Sequence, residues 1–180
     1  STDDEEIASI AEKYGAKVPF IRSPEASNDH ATLSDVIENM KNNKIIDKKK
    51  YRYICCVLPT APFITTQTLL DGYRLLLDKE LDTVMAVTEY EFPIEYAYSI
   101  EKKILKTSIK NLSLAIDTSI KKYHDAGQFY WMKYATALLN QDRLRGGIVV
   151  DNKHSQDINT EFEWDLAEFK YNNYSILNEK

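Results

Sequence analysis

Apolar positions recur along this chain first at helical and then at strand spacing. Ile7, Ile10, Ala11 and Tyr14 follow i, i+3, i+4, i+7, which predicts an opening amphipathic helix. Thr2 and Glu5 stand at capping-box spacing ahead of it, and Gly15 supplies its stop. Lys17 to Ile21 then reads as a short strand, and Leu33, Val36, Ile37 and Met40 as a second helix. The lysine-rich stretch from Lys41 to Lys50 reads as a solvated helix end and loop. Arg52 to Leu58 is nearly continuous in apolar residues, as expected of a strand buried on both faces, and Pro59-Thr60-Ala61-Pro62 ends it. Leu69, Leu70, Tyr73, Leu76 and Leu77 predict a third helix, and Thr83 to Thr88 the next buried strand.

Strands alternating with helices predict α/β architecture with a mostly parallel central sheet. Between Ala97 and Ile120 the regularity lapses, and Tyr98-Ser99-Ile100 and Ile104-Leu105-Lys106 suggest a small hairpin. Afterwards Gly127 to Trp131 reads as extended, Lys133 to Asn140 as helical, Ile148 to Val150 as a strand and Glu161 to Tyr171 as the last helix.

Composition narrows the function classes. The 180 residues, 43% of them hydrophobic, suit one domain with its own core, spanning 1–180. A net charge of -5 offers no basic field for nucleic acid or for an anionic membrane surface, so neither is expected as a partner. Apolar runs fall far short of a membrane span, and the chain reads as cytoplasmic. The adjacent cysteines, Cys55 and Cys56, read as two small buried hydrophobes.

In open α/β sheets ligands gather beyond the carboxyl ends of the strands, and three candidate segments fall there. Thr60, in the proline loop, can offer a hydroxyl and a backbone donor to an anion. Tyr123 to Trp131 sets aromatic rings, a carboxylate, an amide and an imidazole around Gly127, a composition suited to a sugar or equally to an aromatic core strand. Asp157 and Asn159, two apart on an extended segment, present two hard oxygen donors in one direction, as Mg²⁺ needs; helix capping is the ordinary alternative.

Taken together, these segments resemble one family, the cytidylyltransferases that activate nonulosonic acids, most of all its pseudaminic acid branch. The likeness runs through Ser1-Thr2-Asp3-Asp4-Glu5, Arg22-Ser23-Pro24-Glu25-Ala26-Ser27-Asn28-Asp29, Pro59-Thr60-Ala61-Pro62, Asp125-Ala126-Gly127-Gln128-Phe129-Tyr130-Trp131 and Asp157-Ile158-Asn159-Thr160, in the family's order. The resemblance implies a Rossmann-like three-layer nucleotidyltransferase fold that binds CTP and Mg²⁺. It also implies transfer of CMP to the anomeric hydroxyl of a nonulosonic acid, with release of pyrophosphate, commonly by a homodimer. It places Arg22, Ala31, Thr32 and Thr60 at the nucleotide, Gln128 and Tyr130 at the sugar, Asp157 as the catalytic metal ligand and Asn159 as its neutral partner.

The chain departs from the family pattern at Asn159, where a second aspartate is usual, at Tyr96, where arginine is usual, and between Ala115 and Ser119, which lacks an arginine. The family also opens with a strand and a phosphate-cradling loop that would precede Ser1. The resemblance therefore implies a domain short of roughly 50 residues, about one βαβ unit. Such a chain by itself is expected not to turn over CTP. The competing expectation is a catalytically dead remnant that serves as a binding or oligomerisation module.

Overall fold

The computed structural model describes residues 1–47, 49–107, 120–135, 137 and 144–174. The chain divides into two compact units, Ser1–Ile54 with Met132–Arg143, and Cys55–Trp131 with Leu144–Lys180.

In the smaller unit, helix α1 spans Glu5–Lys13 and α2 spans Leu33–Asn42. Asp4, not Thr2, caps α1: its carboxylate accepts from Ile7 N at 2.8 Å, and Thr2 Oγ1 in turn accepts from Asp4 N. The Schellman stop falls where Gly15 predicts it, with φ +91° and with Gly15 N and Ala16 N donating to Glu12 O and Ala11 O. The expected strand over Lys17 to Ile21 does not form. A strand needs a neighbour, and near this segment the main chain makes a single cross-link, Arg22 N to Thr2 O.

The larger unit is built on a four-stranded sheet of β1 (Tyr53–Val57), β2 (Thr83–Glu89), β5 (Tyr123–Lys133) and β6 (Arg145–Val149), ordered β1-β5-β2-β6. Strands β3 (Tyr98–Glu101) and β4 (Ile104–Thr107) form the expected antiparallel hairpin. The α/β class holds, and one feature of the sheet differs from the expectation. β2 and β6 pair in parallel, Thr83 with Arg145 through Val87 with Val149. β5 runs the other way: Leu58 N donates to Gln128 O and Tyr134 N to Arg52 O, the descending register of an antiparallel pair, and Tyr90 N, just past β2, reaches Lys122 O, just before β5. Three strands therefore share a direction, but β5 stands between two of them and makes the ladders on both its sides antiparallel. Alternation along one strand carries no information on the direction of its neighbours.

Helix α3 (Thr66–Asp78) is capped by Thr65 and Thr68 and lies on the face of β5 that carries Phe129 and Trp131. The approach is close: a Cβ on Gly72 would stand 2.9 Å from the Phe129 ring and 3.0 Å from that of Trp131. Trp131 Nε1 donates to Leu69 O, and its ring centroid lies 5.0 Å from that of Tyr73. Ala86, Ala126, Phe129 and Val150 form the core, with Cys55, Ile64, Leu69 and Ile148 packed against it. Helix α4 (Glu161–Asn172) closes the described chain. Of the helix expected over Lys133 to Asn140, half lies outside the described residues and the described half is not helical: Lys133 ends β5, and Tyr134, Ala135 and Ala137 are turn. The segment from Ala115 to Ser119 lies outside the described residues. Among the described residues no helix is long and apolar enough to cross a membrane.

Candidate active site

The structure places the sequence-predicted residues in both units. Arg22, Ala31 and Thr32 lie in the smaller one, and each has a local partner. Arg22 donates to Asp3 Oδ1 at 2.8 Å and to Ser27 Oγ at 2.9 Å, which ties the chain start to the turn at Pro24–Ala26. Thr32 is the N-cap of α2, in a reciprocal box with Asp35. Ala31 N donates to Asn28 O.

The larger unit brings Thr60, Asp157, Asn159 and the β5 motif together. Beyond the ends of β2 and β6 lies a cavity of about 410 Å³ whose wall includes His124, Asp125, Asp157, Asn159, Glu163 and Lys170. Ser155 and Gln156 line it, and so do Asp157 and Asn159. Between them, Ile158 N donates to Thr60 O at 3.1 Å, so the proline loop and the Asp157 segment are held together by the main chain.

Gly127 makes room for Asp157. Its φ is +61°, and a Cβ there would stand 2.8 Å from both Asp157 Cγ and Oδ2. On the same strand Asp125 accepts twice, from Gly127 N at 2.8 Å and from Tyr130 Oη at 2.6 Å. Burial, followed by the bond to Asp125 and the negative charges of Asp125 and Asp157, holds the Tyr130 phenol well above the usual tyrosine range. Tyr130 therefore stays protonated, its hydroxyl donating to the Asp125 carboxylate.

Gln128 departs from expectation. As a sugar-reading group it would be exposed, yet it is 1% exposed, because β5 is an interior strand and a loop covers the face opposite α3. Its Nε2 donates to His154 O at 3.1 Å, and among the described residues Oε1 has no partner. The alternation itself holds, with Phe129 and Trp131 facing α3 and Gln128 turned to the loop.

Three residues of this site carried weak local signals or none. Asp125 belonged to the aromatic run without an assigned role. Glu163 was legible as the fourth residue of Thr160-Glu161-Phe162-Glu163, a capping-box pattern. Lys170 reads in sequence as one more exposed helical lysine. In the structure its Nζ is surrounded by oxygens of the 152–156 loop, and burial holds its ammonium below the usual lysine value.

The cavity thus lies at the strand ends, where open α/β sheets bind ligands, and its wall carries carboxylate and amide oxygens. The chain belongs to the cytidylyltransferase family, whose model matches residues 1–167. It is 33% identical over 133 residues to the pseudaminic acid cytidylyltransferase of Campylobacter jejuni subsp. jejuni serotype O:2, an overlap of 73% of this chain and 57% of that protein. It is 30% identical over 179 residues to N-acylneuraminate cytidylyltransferase A of Danio rerio, covering 93% of this chain and 39% of the relative. A third relative, the post-translational flagellin modification protein B of Campylobacter coli, is 23% identical over 94% of this chain and 74% of its own length. The chain thus spans 57% of the length of the Campylobacter jejuni relative.

Proposed function

We propose that this chain carries the metal- and sugar-facing part of a cytidylyltransferase that moves CMP from CTP to the anomeric hydroxyl of a nonulosonic acid, pseudaminic acid foremost, acting in the cytoplasm as a homodimer. In that reaction the anomeric hydroxyl gives up its proton to solvent, its oxygen forms a bond to the α-phosphorus, the bond from that phosphorus to the bridging oxygen breaks, and pyrophosphate leaves with those electrons. The observation that carries the reading is the convergence of Asp157 and Asn159 on one cavity wall, with Asp157 seated against the glycine of the β5 motif.

The donor set suits a divalent cation of the Mg²⁺ type. Such an ion takes one or two protein oxygens and leaves its other positions to water and substrate phosphate. Asp157 would supply the charged oxygen and Asn159 the neutral one. When bound, the ion would neutralise charge on the transferring phosphate. The protein's share is placement: Gly127 lets Asp157 approach, Thr60 O fixes Ile158 between the two donors, and the Tyr130 hydroxyl donates to Asp125.

The test is binding. Titration of Mn²⁺ with CTP, followed by the electron paramagnetic resonance of free Mn²⁺, should show saturable binding that Asp157→Ala abolishes. Saturation-transfer NMR should detect pseudaminic acid in preference to N-acetylneuraminic acid. Absence of Asp157-dependent Mn²⁺·CTP binding together with absence of any nonulosonic acid signal would sink the reading.

A further inference from the structure

The segment that carries Asp157 and Asn159 is gripped from both sides by one face of α4. On the upstream side, Lys170 Nζ donates to Ser155 O at 2.7 Å, to Asn152 O at 3.0 Å and to Gln156 Oε1 at 3.0 Å. These acceptors span the loop that leads from β6 into Asp157. On the downstream side, Glu163 Oε2 accepts from Asn159 N at 2.8 Å and from Thr160 Oγ1 at 3.0 Å. Glu163 and Lys170 are seven apart, two helical turns, so they share the face of α4 that looks onto the cavity. The far end of the loop is pinned to the sheet: Thr88 Oγ1 donates to Asn152 Oδ1, and Asn152 Nδ2 reaches Glu89 O at 3.4 Å.

We infer that Glu163 and Lys170 are positioning residues for Asp157 and Asn159, a two-point bracket on α4 that sets the direction in which the two oxygens enter the cavity. The inference rests on the proposed metal and nucleotide site. The chemistry of the contacts favours this role over simple stabilisation. An ammonium with three donors is spent on loop oxygens that α4 itself does not need, while the Glu163 carboxylate both helps cap α4 at Thr160 and holds the main chain at Asn159. Neither residue needs to touch the ion; each fixes the main chain from which the donors hang. Partners that orient metal ligands typically control affinity by 10- to 100-fold, roughly, when removed.

The experiment compares the parent with Lys170→Met, Lys170→Arg and Glu163→Gln, reading the Mn²⁺ concentration at half-saturation in the presence of CTP, alongside melting temperature. Lys170→Met is expected to raise the half-saturation concentration about tenfold or more, and Glu163→Gln to raise it less, since an amide oxygen still accepts. Lys170→Arg, which retains a charged donor, is expected to recover part of the loss. A purely structural role predicts a lower melting temperature with an unchanged Mn²⁺ requirement, and that pattern overturns the bracket. Should Lys170→Met fail to fold, the Lys170→Arg and Glu163→Gln pair decides: parental half-saturation in both overturns the bracket. If the parent itself binds no Mn²⁺·CTP, the proposed metal site falls and the bracket falls with it, and loss of the nonulosonic acid signal as well sinks the functional reading; parental binding matched by every variant removes the bracket alone.

Discussion

The α-carbon of Gly127 and the carboxylate of Asp157 lie against each other so closely that a single methyl group would not fit, since a Cβ on Gly127 would stand 2.8 Å from Asp157 Cγ. The two residues belong to different segments, β5 and the stretch after β6, and the contact forms because Gly127 takes φ +61°. Gly127→Ala therefore meets two costs. The left-handed backbone costs a non-glycine residue roughly 1–2 kcal/mol, and the carboxylate must move. The expected outcome is a lower melting temperature together with weakened Mn²⁺·CTP binding. Crystallography or NMR of the variant should show Asp157 displaced; a variant with parental metal binding and an unmoved Asp157 would contradict the assignment.

The Tyr130 hydroxyl gives a pH signature. Its folded pKa lies above the ordinary tyrosine value near 10, chiefly through burial and then through its bond to Asp125. A proton held more tightly in the folded state than in the unfolded one stabilises fully below pH about 10, and that stability is lost as pH rises further. Tyr130→Phe is expected to cost about 1 kcal/mol at pH 7, as the half-buried bond to a carboxylate is lost. Above pH 10 the gap between parent and variant should narrow. Melting curves from pH 7 to 11 test this, and a gap that widens with pH would refute the assignment.

Burial turns Gln128 into a stability residue. Gln128→Ala leaves His154 O without its donor and opens space inside the sheet layer, so about 2 kcal/mol or more should be lost. Trp131→Ala removes a ring packed on Gly72 and Tyr73 and is expected to cost about 3–5 kcal/mol. Denaturant melts of both variants give the comparison. A melt of Gln128→Ala that matches the parent would refute this stability role.

Helices α1 to α4 were legible because apolar periodicity is a local property, and the Gly15 stop fell in place, although the cap of α1 proved to be Asp4 and not Thr2. Asp157 and Asn159 do line one cavity, but Ser155 and Gln156 line it too, so the shared wall follows the path of the loop and not a strand's alternation. The reversed direction of β5 and the burial of Gln128 were not legible, since both depend on which strands flank β5. The failed strand at Lys17 to Ile21 has the same origin, an extended segment without a neighbour. Lys170 was invisible because its three acceptors lie 14 to 18 residues away, with no pattern linking them.

The paired thiols on β1 should be inert. Burial and the neighbouring Cys56 push the Cys55 thiol up to about 12, and burial raises that of Cys56 as well. From an ordinary value of 9.0, that shift lowers the Cys55 thiolate fraction at pH 8 by about a thousandfold. A thiol-reactive disulfide reagent at pH 8 is expected to leave both cysteines unmodified in the native protein and to label both in guanidinium. Rapid native labelling at Cys55 would show that β1 is more open than the structure has it.

Asp157 and Asn159 together decide the metal chemistry. Asp157 contributes the formal charge and Asn159 a neutral oxygen, so removing the first should cost far more than altering the second. Asp157→Ala is expected to eliminate Mn²⁺·CTP binding, with at most a small change in melting temperature, because the carboxylate makes no side-chain hydrogen bond among those described and its loss relieves the crowding at Gly127. Asn159→Asp adds a second carboxylate on the same wall, where the cavity also holds Asp125 and Glu163. Without metal that charge is repelled by its acidic neighbours, so the variant should melt lower; with metal the repulsion becomes attraction, and half-saturation should fall to lower Mn²⁺ concentration. The signature is a crossover, a variant less stable than the parent in chelator and more strongly stabilised by added Mn²⁺. Melting temperatures with and without Mn²⁺ and CTP read both halves. If Asn159→Asp gains nothing from the ion while Asp157→Ala loses nothing, these two residues are not the metal's ligands.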